Sequence, residues 1–120
     1  MNKSNEKDIH ERIYQFVIRV IKLTKTMKPT PQNLIFINQV IKSATSMGAN
    51  DQEADAAESR KDFIAKYTIV KKEAKETNYW LRVISDTNPE LKLRLVNLRK
   101  EGLEILLIVS KIIINTKNKI

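Results

Sequence analysis

The residues of this chain that could perform chemistry are concentrated in its middle. Seven side chains recur there at helical spacing and would face one another if their helices packed side by side: Ser46, Asn50, Glu53, Lys72, Glu73, Glu76 and Trp80. Carboxylates on facing helices hold metal in di-iron proteins, but those sites also need Glu-x-x-His pairs. The chain has one histidine, His10, near its amino terminus. The sequence therefore predicts no metal and no cofactor, and the cluster is interpreted as a structural polar network or a subunit interface.

No other set of residues points to catalysis. The chain has no cysteine and two glycines, and it shows neither a Ser-His-Asp set nor a glycine-rich phosphate loop. His10 is interpreted as a solvated side chain. Tyr79 and Trp80 could stack on bases, as aromatic residues do in single-strand binders, but the helical spacing of Trp80 favours a core or interface position. We therefore expect that the protein is not an enzyme.

Basic residues on two predicted helices are the candidates for nucleic-acid contact. On the first helix, Arg12, Arg19 and Lys22 follow one polar stripe. The candidates on the last helix are Lys92, Arg94, Arg99 and Lys100. The net charge of +8 favours a polyanionic partner, although the same residues could simply form a solvated surface.

The composition is typical of one folded domain over residues 1–120. Hydrophobic residues make up 42% of the chain and charged residues 30%, with few glycines and prolines. The absence of cysteine fits a reducing compartment, and the first thirty residues carry no signal-peptide core. The most apolar stretch, 103–114, is far shorter than the roughly 20 residues that a membrane span needs. These features predict a cytoplasmic protein with no membrane association.

Apolar residues at three- and four-residue steps predict helices over residues 6–27, 31–58, 60–86 and 89–116. Pro29 ends the first helix because it disfavours a helical residue before it. Thr30 and Ser59 are predicted to cap the second and third helices, and Thr87 with Glu90 forms a possible capping box for the fourth. Matched lengths and short connections favour an all-α, antiparallel up-and-down four-helix bundle.

The last predicted helix is apolar on more of its circumference than a bundle core requires. Residues 103–114 are hydrophobic almost all round, whereas a core-facing helix needs an apolar stripe of about 100°. A second protein surface would cover the surplus. The sequence thus predicts self-association into a homo-oligomer.

Residues 43–84 carry a distinctive series of motifs. Small residues precede Asn50 and Glu53, the sequence Ser-Arg-Lys-Asp-Phe begins the third helix at 59–63, and Lys-Glu-Ala-Lys-Glu-Thr-Asn-Tyr-Trp-Leu occupies 72–81. These motifs resemble the bacterial four-helix-bundle proteins that are encoded in intervening sequences of 23S ribosomal RNA genes. The first and last helices match that family only in their pattern.

This resemblance implies a homopentamer with a basic exterior and a role linked to RNA or DNA. A related branch is the accessory variability determinant of diversity-generating retroelements, so a reverse transcriptase is a further implied partner. The sequence therefore favours a nucleic-acid-binding accessory protein. The alternative is a structural or protein–protein interaction module whose basic surface only keeps it in solution.

Overall fold

Four long helices account for nearly all of the described chain. The structure is a computed structural model that describes the backbone of residues 3–119 and the side chains of residues 9–119. The helices are α1 (Lys3–Thr24), α2 (Pro31–Asp55), α3 (Arg60–Thr87) and α4 (Lys92–Lys117), and a 3-10 turn, Pro89–Leu91, precedes α4. No strand occurs between residues 3 and 119. The predicted all-α class is confirmed.

Side chains cap α2 and α3 as the sequence predicted. The Thr30 hydroxyl accepts a hydrogen bond from the backbone N–H of Asn33 at 3.1 Å, and Pro31 occupies the first turn of α2. The Ser59 hydroxyl accepts from the backbone N–H of Asp62 at 3.0 Å. These caps satisfy N–H groups that have no partner within the helix, so both helices begin where the sequence placed them.

The start of α4 differs from the predicted capping box. The Thr87 hydroxyl donates to the carbonyl of Val83 within α3, and no side chain caps the turn that begins at Pro89. Asn88 instead pairs with Asn33 across the bundle. Each amide donates to the other's oxygen, at 2.9 and 3.1 Å, and both side chains are buried. This reciprocal pair joins the first turn of α2 to the α3–α4 connection.

Successive helices run antiparallel, with α2 and α3 making the most extensive contact. The bundle measures 50 × 22 × 18 Å. Each helix contributes a buried stripe at three- and four-residue steps, and the largest fully buried side chains are Tyr67, Phe16, Ile9, Ile13, Met47, Leu81, Ile84, Leu95, Ile105, Val20, Val40 and Val70. Leu34 of α2 is hydrophobic but lies outside this core and is exposed. The core lies along the common axis of the helices.

Gly102 allows α4 to approach α1 and α3 closely. A Cβ atom at this position would lie 2.2 Å from Asn78 Oδ1 and 3.0 Å from the ring of Phe16. The Asn78 amide donates to the carbonyl of Gly102 at 3.1 Å, so α3 is bonded to the α4 backbone at the same point. A side chain at residue 102 would therefore have to displace the side chains of Asn78 and Phe16.

We expect Gly102→Ala to destabilise the protein by about 1–2 kcal/mol, because overpacking outweighs the better helix propensity of alanine. Urea unfolding followed by circular dichroism measures this change. In an Asn78→Ala background, Gly102→Ala should lower the unfolding free energy by less, because the closest clash is removed. Equal costs in both backgrounds would contradict the assignment of the clash to Asn78.

Candidate functional site

A buried carboxylate joins three of the four helices. Asp51 of α2 is 0% exposed. Its Oδ1 accepts a hydrogen bond from the Tyr67 hydroxyl of α3 at 2.7 Å, and its two oxygens lie 2.9 and 3.0 Å from Nδ1 of His10 on α1. Because a buried charge is costly unless it is hydrogen bonded and paired, this network fixes the register of α1 and α3 on α2.

His10 is therefore not the solvated side chain that the sequence suggested. Its Nε2 atom also lies 3.4 Å from Oδ1 of Asp55, one helical turn beyond Asp51. Asp51 and Tyr67 were not predicted as site residues because each lies on an apolar helix stripe. The sequence feature that could have indicated this site is the single aspartate on the buried face of α2, because a buried carboxylate requires a partner from another helix.

A cavity of about 720 Å³ lies at this end of the bundle. Its lining includes His10, Asp55, Arg60 and Tyr67, together with residues near the end of α4. Arg60 donates to the backbone carbonyl of Lys119. Within the described part of the chain, no group of three or more His, Cys, Asp or Glu side chains is arranged to hold a metal ion.

The seven residues of the predicted polar cluster do not form one network. On α2, the Asn50 amide donates to the backbone carbonyl of Ser46 at 2.9 Å. Glu53 pairs with Lys66 at 3.0 Å, and this carboxylate raises the pKa of Lys66. Lys72 is exposed. Besides the Asp51–Tyr67 hydrogen bond, the buried polar contact between α2 and α3 is the pair of hydroxyls of Ser43 and Thr77, which lie 2.8 Å apart.

The remaining members of the cluster lie along the outer edge of the α2–α3 contact. Trp80 stacks on Phe36 of α2 with ring centroids 6.1 Å apart, and its indole Nε1 is buried without a hydrogen-bond partner in the described structure. Glu73 and Glu76 are half-buried, one helical turn apart, and make no ion pair with any residue of 9–119. These residues share a surface without bonding to one another.

The candidate basic residues divide between two faces. Arg12 of α1 donates to both carboxylate oxygens of Glu101 on α4, at 2.6 and 3.0 Å, so it holds the two helices together. Arg19 lies seven residues after Arg12 on α1, and Arg94 lies seven residues before Glu101 on α4. Both therefore lie along the same contact between α1 and α4. Lys22 lies one turn beyond Arg19, and Arg19, Lys22 and Arg94 are exposed. These three make up the α1–α4 basic face.

The other candidates lie on the solvent side of α4. Lys92 and Lys100 are exposed and Arg99 is half-buried. They flank large hydrophobic side chains that also face solvent, of which Leu93 is 89% exposed and Leu107 is 70% exposed. The surplus apolar surface that the sequence predicted on this helix is therefore present, and it is mixed with positive charge.

The fold and these surfaces define the class: a small, basic four-helix bundle without a metal-ligand cluster among its described side chains. The family model of the 23S rRNA-intervening sequence protein matches residues 5–110. The chain belongs to this family, as its motifs suggested.

A solved structure gives the same result. The chain is similar to a crystal structure from Bacteroides thetaiotaomicron, described as a protein with unknown function from the S23 ribosomal protein family. The two are 32% identical, with a TM-score of 0.80, and the match covers 89% of this chain and 96% of the other. No curated protein matches the chain. None of the helices within the described residues has the length and apolarity needed to cross a membrane.

We expect Asp51→Asn to destabilise the protein by about 1–3 kcal/mol, because it leaves buried polar groups of His10 and Tyr67 with a poorer acceptor. Urea unfolding measures the loss. The matched control is Asp55→Asn, which changes a neighbouring aspartate that is mostly exposed and should alter stability by less than about 0.5 kcal/mol. Similar losses in the two variants would show that Asp51 does not organise the network.

The Arg12–Glu101 ion pair predicts a dependence of stability on pH. The hydrogen bond from Arg12 lowers the pKa of Glu101 below its ordinary value of 4.5. The pair therefore contributes fully above that unfolded-state value, and its contribution is lost as pH falls through the lower folded-state pKa. In the Glu101→Gln variant, the difference in unfolding free energy between pH 7 and pH 3 should be about 1 kcal/mol smaller than in the parent. An unchanged difference, measured by urea unfolding at both pH values, would contradict this assignment.

Proposed function

We propose that this protein is a cytoplasmic, homo-oligomeric nucleic-acid-binding accessory protein, and that its α1–α4 basic face contacts the phosphates of RNA or DNA. Family membership supports a link to ribosomal RNA genes. By the same resemblance, the oligomer is proposed to be a pentamer and a reverse transcriptase to be a further protein partner.

The observation that supports the proposal is that several acidic side chains form ion pairs within the molecule. Asp51 and Asp55 engage His10, and Glu101 and Glu104 lie beside Arg12. Glu53 pairs with Lys66. Among residues 9–119, Arg12 and Lys66 are the arginine and lysine residues that make ion pairs with carboxylates. Because these carboxylates pair within the molecule, the excess charge of the lysine and arginine side chains remains at the surface.

Positive charge is concentrated at one end of the α1–α4 basic face. Lys25 and Lys28 are exposed and follow Lys22 into the α1–α2 connection, while Lys92 and Arg94 begin α4 at the same end of the bundle. Lysine and arginine at this density attract a polyanion and gain affinity by releasing its counterions. A symmetric oligomer would repeat the surface once in each subunit, so weak individual contacts would act together.

Replacing Arg19, Lys22 and Arg94 with glutamine should weaken binding to a fluorescently labelled RNA or DNA duplex. The slope of log affinity against log salt should become shallower by about 0.9 for each phosphate of duplex DNA that the variant no longer neutralises. Arg12 is left intact in this variant because its removal would loosen α1 from α4. Fluorescence anisotropy across a salt series measures the slope.

The matched control replaces Lys42, Lys61 and Lys117, which are exposed and lie away from this face, and removes the same charge. It should keep most of the parent's slope. Equal effects in the two triple variants would mean that net charge, rather than the α1–α4 basic face, drives binding. A parent that fails to bind even at about 50 mM salt, where phosphate contacts are strong, would replace the proposal with the interaction-module alternative.

A further inference from the structure

The solvent side of α4 carries a continuous face of exposed residues, which we term the α4 outer face. Its members recur at three- and four-residue steps or multiples of them: Leu93, Val96, Lys100, Leu103, Leu107 and Ile114. Five of these are large hydrophobic side chains, and each is more than half exposed. The face extends for about 32 Å along the helix at 1.5 Å per residue. A contiguous apolar surface of this extent marks an interaction site rather than scattered exposure.

Charge around the α4 outer face is positive. Lys100 belongs to the face, and Lys92 and Lys111 are exposed beside it. The carboxylates of α4, Glu101 and Glu104, both lie near Arg12 of α1, at 2.6 and 3.8 Å from its guanidinium. Glu101 is thus committed to α1, whereas Glu104 is half exposed and also lies four residues from Lys100, so the three lysines leave a net positive charge around the face. A partner for this face should offer apolar surface together with negative charge.

The same chain presents a surface of that kind on its other side, which we term the α2–α3 seam. It consists of residues along the outer edge of the contact between these helices: Phe36, Ser46, Ile69, Glu73, Glu76 and Trp80. Glu73 and Glu76 are like charges one turn apart, which is unfavourable, and neither makes an ion pair within residues 9–119 although Lys72 lies beside them in the chain. The buried indole N–H of Trp80 also has no acceptor within the described structure. Aromatic and apolar groups and two unpaired carboxylates thus lie together.

We propose that the α4 outer face of one copy docks on the α2–α3 seam of the next copy, with lysines of α4 opposite Glu73 and Glu76. The proposal rests on the homo-oligomeric part of the proposed function and names the surfaces that meet. Charge complementarity selects this arrangement. Two copies joined through the same α4 face would bring two basic surfaces together and would leave Glu73 and Glu76 uncompensated.

Contact between two different faces has a geometric consequence. Each copy uses one face and leaves the other available, so addition of copies continues until the chain of subunits closes into a ring. The α1–α4 basic face takes no part in this contact and stays open to a polyanion. Self-association and phosphate binding then occupy separate surfaces of each subunit.

Two variants test the proposal. Leu103→Glu with Leu107→Glu disables the α4 outer face, and Glu73→Lys with Glu76→Lys reverses the charge of the α2–α3 seam. Sedimentation velocity should give an oligomer for the parent and the 13.9 kDa monomer for each variant. Mixed in equal amounts, the two variants should form a 1:1 complex of twice that mass, because each still has the face that the other lacks. Circular dichroism establishes that both variants are folded.

The matched controls carry the same changes elsewhere. Tyr14→Glu with Leu34→Glu alters hydrophobic residues of similar exposure, and Glu58→Lys with Glu90→Lys reverses two exposed carboxylates. Both controls should keep the parent's mass.

A monomeric parent, a seam variant that stays oligomeric, or folded variants that remain monomeric when mixed would each overturn the proposal. Assembly is measured without nucleic acid, so the two proposals fail separately. An oligomer of the expected kind that binds no RNA or DNA would reject only the nucleic-acid function. A monomeric parent that binds nucleic acid would reject the contact described here together with the homo-oligomeric part of the proposed function, and the nucleic-acid part would stand.

Discussion

The buried carboxylate of Asp51 is the constraint on which the arrangement of the helices depends. Apolar side chains can slide past one another at modest cost, but a buried charge has few acceptable positions. Tyr67 and His10 meet Asp51 from two other helices within 3.0 Å. The register of α1, α2 and α3 follows from that requirement. Gly102 then sets the position of α4, because only a residue without a side chain fits beneath Asn78 and Phe16.

These internal contacts also shape the exterior. Asp51 and Asp55 are directed to His10, and the carboxylates of α4 are directed to Arg12. Acidic groups that might have neutralised surface lysines are therefore used to hold helices together. The outcome is a small bundle with a basic face along α1 and α4, a mixed apolar and basic face on α4, and an aromatic seam with two unpaired carboxylates. The fold thus separates surfaces of different chemistry around one core.

Much of the fold could be predicted from the sequence because its signals are local. Thr30 and Ser59 cap their helices as expected, since a cap depends on residues three positions apart. Thr87 did not follow this rule, because its hydroxyl bonds back into α3 and the Asn33–Asn88 pair organises the junction instead. That pair spans residues that are distant in the chain, and no local pattern indicates it.

The sequence by itself determined the helical periodicity, the excess of basic residues and the surplus apolar surface of α4, because each depends on residue type and spacing within one helix. Its motifs also identified the family. Only the tertiary structure decided which charges pair. It placed Arg12 against Glu101 and His10 against Asp51, and it left Glu73 and Glu76 without an ion pair among the described side chains. The physical reason is that pairing depends on the register between helices, which is set by side-chain contacts that span the core.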